Sequence, residues 1–183
     1  ARATGKRVAS RNVNMYTITM PRPHVEPLAY FLTWTTYGSW LPGDDRGWVD
    51  RRGMIRGGNP LLQGVALRRL AGACVSLTRH QRGLVVRCVA AHARFRGWTL
   101  YAVQCRMQHV HVVIGAPGRG PYEVIAELKA RATRMLGADA GGRSVRRSGR
   151  WWTRGGSSRK VFDERSLDNV VTYVRQCQDR ARE

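Results

Sequence analysis

The chain has 183 residues, with 32 Lys and Arg against 12 Asp and Glu and a formal net charge of +20. This length is enough for one domain with a buried core, and the charge favours a polyanionic partner, either nucleic acid or an anionic membrane surface. No apolar run approaches the roughly 18 residues that cross a bilayer, and the first thirty residues contain no apolar signal-peptide core. We therefore expect a cytoplasmic nucleic-acid-binding protein without a membrane partner. The four cysteines form no Cys-x-x-Cys pair, which argues against a zinc ribbon or a disulfide framework.

The first third of the chain predicts a basic arm, a strand and a long loop. Residues 1–27 mix basic, small and proline residues that bury little apolar surface, so we expect an irregular arm. Residues 28–37 are dense in aromatic and β-branched residues and predict the first strand. Recurring Gly and Pro from residue 38 to about 63 predict a loop anchored by tryptophans. Its Asp44 and Asp45 could bind a metal, but the Arg-Gly that follows favours a turn.

Helical signals follow this loop. Residues 63–73 form a short helix candidate. The stronger signal covers residues 78–95, where apolar residues recur at helical spacing. Thr78 and Gln81 have the spacing of a capping box, in which two side chains satisfy the free amides at a helix start.

Two histidines in a predicted strand are the first candidate site. Residues 98–107 and 109–115 read as two strands separated by almost nothing, so a hairpin is the economical arrangement. Successive side chains of a strand point to opposite faces, and His109 and His111 therefore share one face. Two imidazoles side by side could bind one divalent metal ion and leave positions for a third ligand, water or a substrate oxygen. The alternative is a pair of structural histidines on a half-buried strand, which is common for an isolated motif.

A helix and a very basic segment come next. Residues 121–136 predict an amphipathic helix with proline in its first turn. Residues 137–160 combine many cations with two tryptophans, a composition typical of a single-strand groove in which cations follow phosphates and bases stack on rings. The alternative is a solvated loop whose tryptophans belong to the core. The candidate nucleic-acid-binding residues are Lys129, Arg134, Arg147, Arg150, Trp151, Trp152, Arg154 and Lys160.

The last predicted helix begins at Ser166 and carries Tyr173. The order of the predicted elements resembles that of the IS200/IS605-like single-domain tyrosine transposases. This order is a first aromatic strand, a helix, the His-x-His strand, a helix, a Trp-rich basic segment and a helical tyrosine. These transposases include the REP-associated tyrosine transposases and belong to the HUH endonucleases. The resemblance covers about residues 28–180, which indicates one domain over 28–183 after the arm, with 38–63 as an insertion.

The resemblance implies an α+β, ferredoxin-like fold, an antiparallel sheet with helices on one face. It also implies DNA transposition by cleavage and rejoining of single-stranded DNA with Mg²⁺ or Mn²⁺. Tyr173 would attack phosphorus, giving a 5′-phosphotyrosine and a free 3′-hydroxyl, while His109 and His111 bind the metal. A phenol is a poor nucleophile at neutral pH, but it is a stable carrier of phosphate.

The third metal ligand departs from the family pattern. Relatives commonly place an amide or a similar polar group four residues after the tyrosine, where this chain has Cys177. At about 100° per residue, Gln176 stays on the side of Tyr173, whereas Gln178 swings away unless the helix is distorted. Amide oxygen suits a hard cation better than thiolate does, so Gln176 is preferred and Gln178 is kept as its rival.

The DNA partner implied is the hairpin-containing end of a mobile element, bound by a monomer or by a homodimer. Two other readings stay open: an inactive or domesticated protein that only binds single-stranded or hairpin DNA, and a nickase of the rolling-circle replication type. An RNA-binding ferredoxin-like module is a third reading. It should show aromatic residues on its central strands, where this chain has His109 and His111.

Overall fold

The computed structural model describes residues 26–50, 54–139 and 150–176. Most of the predicted arm therefore lies outside the described residues. The elements in chain order are β1 (Ala29–Thr35), β2 (Trp48–Val49), β3 (Ile55–Arg56), α1 (Pro60–Arg68), α2 (Arg79–Phe95), β4 (Thr99–Cys105), β5 (His109–Gly115), α3 (Pro121–Asp139), β6 (Ser157–Val161) and α4 (Glu164–Gln176).

Four of the strands form one antiparallel sheet in the order β4-β5-β1-β6. Without the insertion, the chain runs β1-α2-β4-β5-α3-β6, so the first strand lies between the third and the fourth. This is the connectivity of the split β-α-β ferredoxin-like fold. The predicted α+β fold with an antiparallel sheet is confirmed.

The two faces of the sheet carry separate apolar layers, because neighbouring residues of a strand point to opposite sides. Leu32 and Trp34 of β1 belong to the large core formed with α2 and α3. Val113 of β5 instead packs with Val170 and Val174 of α4 in a smaller cluster. The predicted helix layer on one face is thus formed by α2 and α3. The helix α4 differs from the predicted arrangement, since it lies on the second face of the sheet. That face also carries apolar residues, which α4 covers.

The helix signals in the sequence agree with local geometry. Both halves of the capping box are present at the start of α2, where Thr78 Oγ1 accepts from the amide of Gln81 and the Gln81 side chain accepts from the amide of Thr78. Asn59 caps α1 in the same position, since its side chain accepts from the amide of Leu62. The helix α1 therefore begins and ends earlier than the predicted 63–73.

The strand β6 was not predicted. Its first four residues lie at the end of the segment 137–160, which was interpreted as a single-strand groove or a solvated loop. Its sequence Ser-Ser-Arg-Lys-Val has a single buried side chain, Val161. An edge strand needs little apolar surface, so hydrophobic patterning does not reveal it. The described helices include none with the length and apolarity needed to span a membrane.

Candidate functional site

The histidine pair lies on the face of the sheet that α4 covers. In β5, His109 pairs with Thr35 of β1 and His111 pairs with Thr33. The centroids of the two imidazole rings are 4.8 Å apart, and the ring planes are nearly perpendicular at 86°. The predicted shared face is therefore present, and the two rings are close enough to approach one ion.

Thr33 on the neighbouring strand β1 orients His111. The Oγ1 atom of Thr33 lies 3.0 Å from Nδ1 of the imidazole. When the Nδ1–H donates to Thr33, the Nε2 atom is left unprotonated, and a histidine that binds a metal commonly has its other nitrogen held in this way. Thr33 was not identified from the sequence, because its role depends on the register of β1 against β5.

Burial keeps both imidazoles neutral. It lowers the pKa of His111 to about 4, with smaller contributions from His109 and Arg106. Burial also lowers the pKa of His109, helped by the positive charges of Arg106 and Arg46. A metal ligand must be unprotonated, so both rings are in the form that binds a cation at neutral pH.

The helix α4 brings Tyr173 to the same place. Its ring centroid is 6.2 Å from that of His111, at an interplanar angle of 88°. Phe31 of β1 joins them, stacked on His111 at 5.8 Å and meeting the edge of Tyr173 at 6.0 Å. The tyrosine is 46% exposed, so a large ligand can reach it. The candidate nucleophile and the histidines therefore meet within one chain.

The predicted third ligand is only partly described. Gln176 is exposed at the end of the described part of α4, one turn beyond Tyr173. Gln178 and Cys177 lie outside the described residues. In the ranges 26–50, 54–139 and 150–176, no three His, Cys, Asp or Glu side chains come together as a metal cluster.

The donor set suits a divalent cation that also takes oxygen ligands. It offers two neutral imidazoles, one of them held by Thr33, and a half-exposed approach through which an amide, water or phosphate oxygen can complete the shell. The acidic pair in the insertion does not contribute. Asp44 accepts bonds of 2.7 and 2.6 Å from Nε and Nη2 of Arg46, and this pairing lowers the pKa of its carboxyl to about 2. The predicted turn fits this local pairing.

Two arginines near the histidines were also missed by sequence analysis. Arg106, in the turn between β4 and β5, lies near enough to lower the pKa of both imidazoles. Arg46 acts on His109 from the insertion, and its guanidinium stacks over the ring of Trp40 at 4.7 Å. The position of Arg106, three residues before His109, was an available signal, whereas nothing in the sequence linked Arg46 to the site.

The predicted stacking role of two tryptophans is wrong. Trp151 and Trp152 are only 8% and 7% exposed and belong to the core with α2 and α3. The indole N–H of Trp152 donates to Thr133 Oγ1, and its ring meets Trp34 edge-on at 6.2 Å. These rings cover one face of the sheet, so neither tryptophan is an exposed platform along which successive bases could stack.

Lys129 is half-buried and bound to the backbone of the protein itself. Its ammonium donates 2.6 Å hydrogen bonds to the carbonyl oxygens of Thr153 and Gly155, and burial lowers its pKa to about 8. The lysine thereby ties α3 to the segment before β6. This structural role accounts for its presence in the helix without a phosphate contact.

The remaining basic candidates are spread over several surfaces. Arg134 is exposed on α3, on the side of the sheet away from the histidines. Arg150 and Arg154 are exposed at the end of β1, beside Tyr37. Lys160 is exposed on β6. Arg147 lies outside the described residues.

No protein-family model matches the chain, and no curated protein matches it. Several solved structures are similar to the chain, and two of them are described here. One is a provisionally assigned transposase from Deinococcus radiodurans R1, with 16% identity over 86% of this chain and 95% of that chain and a TM-score of 0.45. The other is a REP-associated tyrosine transposase bound to a REP hairpin, with 14% identity over 85% of this chain and 68% of that chain and a TM-score of 0.48.

Proposed function

We propose that this protein is a transposase that cleaves and rejoins single-stranded DNA through a tyrosine and a divalent metal ion, Mg²⁺ or Mn²⁺. The observation that carries the proposal is the approach of the Tyr173 ring to His111, with 6.2 Å between centroids, on an exposed rim. A nucleophile beside a pair of neutral imidazoles is the arrangement that metal-assisted phosphoryl transfer needs.

In the proposed reaction, the phenolic oxygen of Tyr173 forms a bond to phosphorus, and the bond from phosphorus to the 3′ oxygen of the preceding nucleotide breaks. The phenolic proton passes to solvent, and the leaving 3′ oxygen takes up a proton. The products are a 5′-phosphotyrosine and a free 3′-hydroxyl. A second 3′-hydroxyl can reverse the same exchange, so rejoining consumes no nucleotide cofactor.

In this step, residues of the chain orient the metal-binding imidazoles and balance the negative charge of the phosphate. Thr33 holds His111, and the charge of Arg106 lies close enough to both histidines to favour an anionic phosphate there. His109 and His111 would hold the cation, and Gln176 or Gln178 would add an amide oxygen. When bound, the cation supplies Lewis-acid polarisation of a nonbridging phosphate oxygen.

The test uses a pool of single-stranded oligonucleotides with a fixed hairpin and randomised flanks, incubated with Mn²⁺ or Mg²⁺. The mechanism predicts that 3′-labelled DNA stays on the denatured protein, whereas 5′-labelled DNA is released as a shorter fragment.

Tyr173→Phe should bind the pool and form no adduct. Tyr122→Phe is the matched control, because Tyr122 is also exposed but lies on α3. An adduct that survives in Tyr173→Phe would remove this tyrosine from the mechanism, and binding without cleavage by the unmodified protein would leave a DNA-binding protein only.

A further inference from the structure

A cavity of about 390 Å³ opens beyond the end of β1, next to the histidine face. Its walls are aromatic and aliphatic, and two exposed arginines border it. The residues that matter for its chemistry are Tyr37, Leu41, Leu70, Trp152, Arg150 and Arg154. A volume above roughly 300 Å³ is in the range of pockets that hold a small planar ligand.

Two threonines lie between the cavity and the candidate site. Thr35 pairs across the sheet with His109, and residues directly opposite one another have their Cβ atoms about 5 Å apart. The Oγ1 of Thr35 lies 2.6 Å from that of Thr153, which lines the cavity, and the amide of Thr153 donates to the carbonyl of Thr35. The candidate site and the cavity are therefore neighbours, separated by the side chains of Thr35 and Thr153.

Backbone hydrogen bonds fix the cavity wall. The amide of Tyr37 donates to the Trp151 carbonyl, its own carbonyl accepts from the amide of Val75, and its hydroxyl accepts from the amide of Ala71. Trp151 and Val75 thus hold the backbone of Tyr37, and the amide of Ala71 holds its ring. A pocket formed before its ligand arrives loses little conformational freedom on binding.

We propose that this cavity receives the unpaired base of a nucleotide adjacent to the phosphate at the histidines, with Arg150 and Arg154 contacting flanking phosphates. Apolar and aromatic walls with cations at the rim match a base whose backbone carries negative charge. The inference rests on the proposed function only in requiring single-stranded DNA along the histidine face.

The experiment measures binding, so it does not depend on cleavage. An oligonucleotide selected from the hairpin pool by its affinity for Tyr173→Phe is scanned with single abasic positions, and the dissociation constant of each is measured by anisotropy. One position should lose roughly ten-fold in affinity, because the stacking of one base is removed. Filling the cavity with Leu41→Trp should abolish that sensitivity, and Leu70→Phe provides a second filling variant. Leu67→Trp, on the exposed face of α1, should retain it.

The results separate the two proposals. Uniform tolerance of abasic positions, or unchanged sensitivity in both folded filling variants, overturns the base pocket while adduct formation can still support the transposase. Loss of affinity in Arg150→Ala and Arg154→Ala without any abasic effect also overturns it, because the cavity would then border a backbone contact only. A sensitive position that disappears in Leu41→Trp supports the pocket even where no adduct forms.

Discussion

The hydroxyl of Thr33 on β1 lies 3.0 Å from Nδ1 of His111 on β5, across a pair of antiparallel neighbours. This contact fixes the imidazole plane and directs Nε2 away from the partner strand. Thr33→Val keeps the shape and removes the hydroxyl. We expect Mn²⁺ affinity to fall by about ten-fold or more. Thr33→Ser, which keeps the hydroxyl, should retain it. Nitrogen chemical shifts of His111 in the metal-free protein should show a mixed tautomer only in Thr33→Val, and an unchanged tautomer would contradict the orienting role.

The lowered pKa of His111 links its environment to acid stability. The unfolded chain binds a proton below about pH 6.5, whereas the folded protein resists protonation of His111 down to about pH 4. The free energy of unfolding should therefore decrease as the pH is lowered from about 6.5 to about 4, by roughly 3 kcal/mol at most. Urea titrations in EDTA at several pH values measure it. In folded His111→Gln this contribution should disappear, and an equal acid slope in both proteins would count against the assignment.

Replacing both histidines tests the metal role. The double variant His109→Ala/His111→Ala removes both imidazole donors, so it should lose cleavage while retaining binding to the oligonucleotide pool, which depends on basic residues elsewhere. His80→Ala is the control, because His80 is an exposed histidine paired with Asp139. Cleavage by the unmodified protein should also cease in EDTA and return with Mn²⁺. Undiminished cleavage by the double variant, with metal supplied, would exclude these residues as ligands.

Lys129 and Arg154 are both basic, but they should respond to different measurements. Lys129→Met removes the hydrogen-bond donor of the Thr153 and Gly155 carbonyls, so the free energy of unfolding should fall by about 1 to 3 kcal/mol. The salt dependence of DNA binding should stay the same. Arg154→Ala should leave stability unchanged and reduce the slope of log K against log salt by about 0.7, the value for one phosphate of a single strand. The reverse pattern would assign the phosphate contact to Lys129.

Patterns that depend on neighbouring residues were readable from the sequence. The spacing of His109 and His111 required one shared face, and the Thr78 and Gln81 pair marked the start of α2 correctly. The order of the motifs, rather than any single motif, led to the ferredoxin-like fold.

What the sequence did not contain was long-range register. Thr33 and Arg46 approach the histidines because β1 pairs with β5 and because the insertion folds back, and neither has a local signature. The same limit explains the error at Trp151 and Trp152. A tryptophan among arginines reads as a binding surface until the core that α2 and α3 form around it is known.

The position of α4 on its own chain's histidine face has a genetic consequence. If Tyr173 and the two histidines of one chain act together, two inactive variants that each lack one of these groups cannot complement one another. A mixture of Tyr173→Phe with the histidine double variant should stay as inactive as either alone, and recovered cleavage would mean that the helix reaches a second copy.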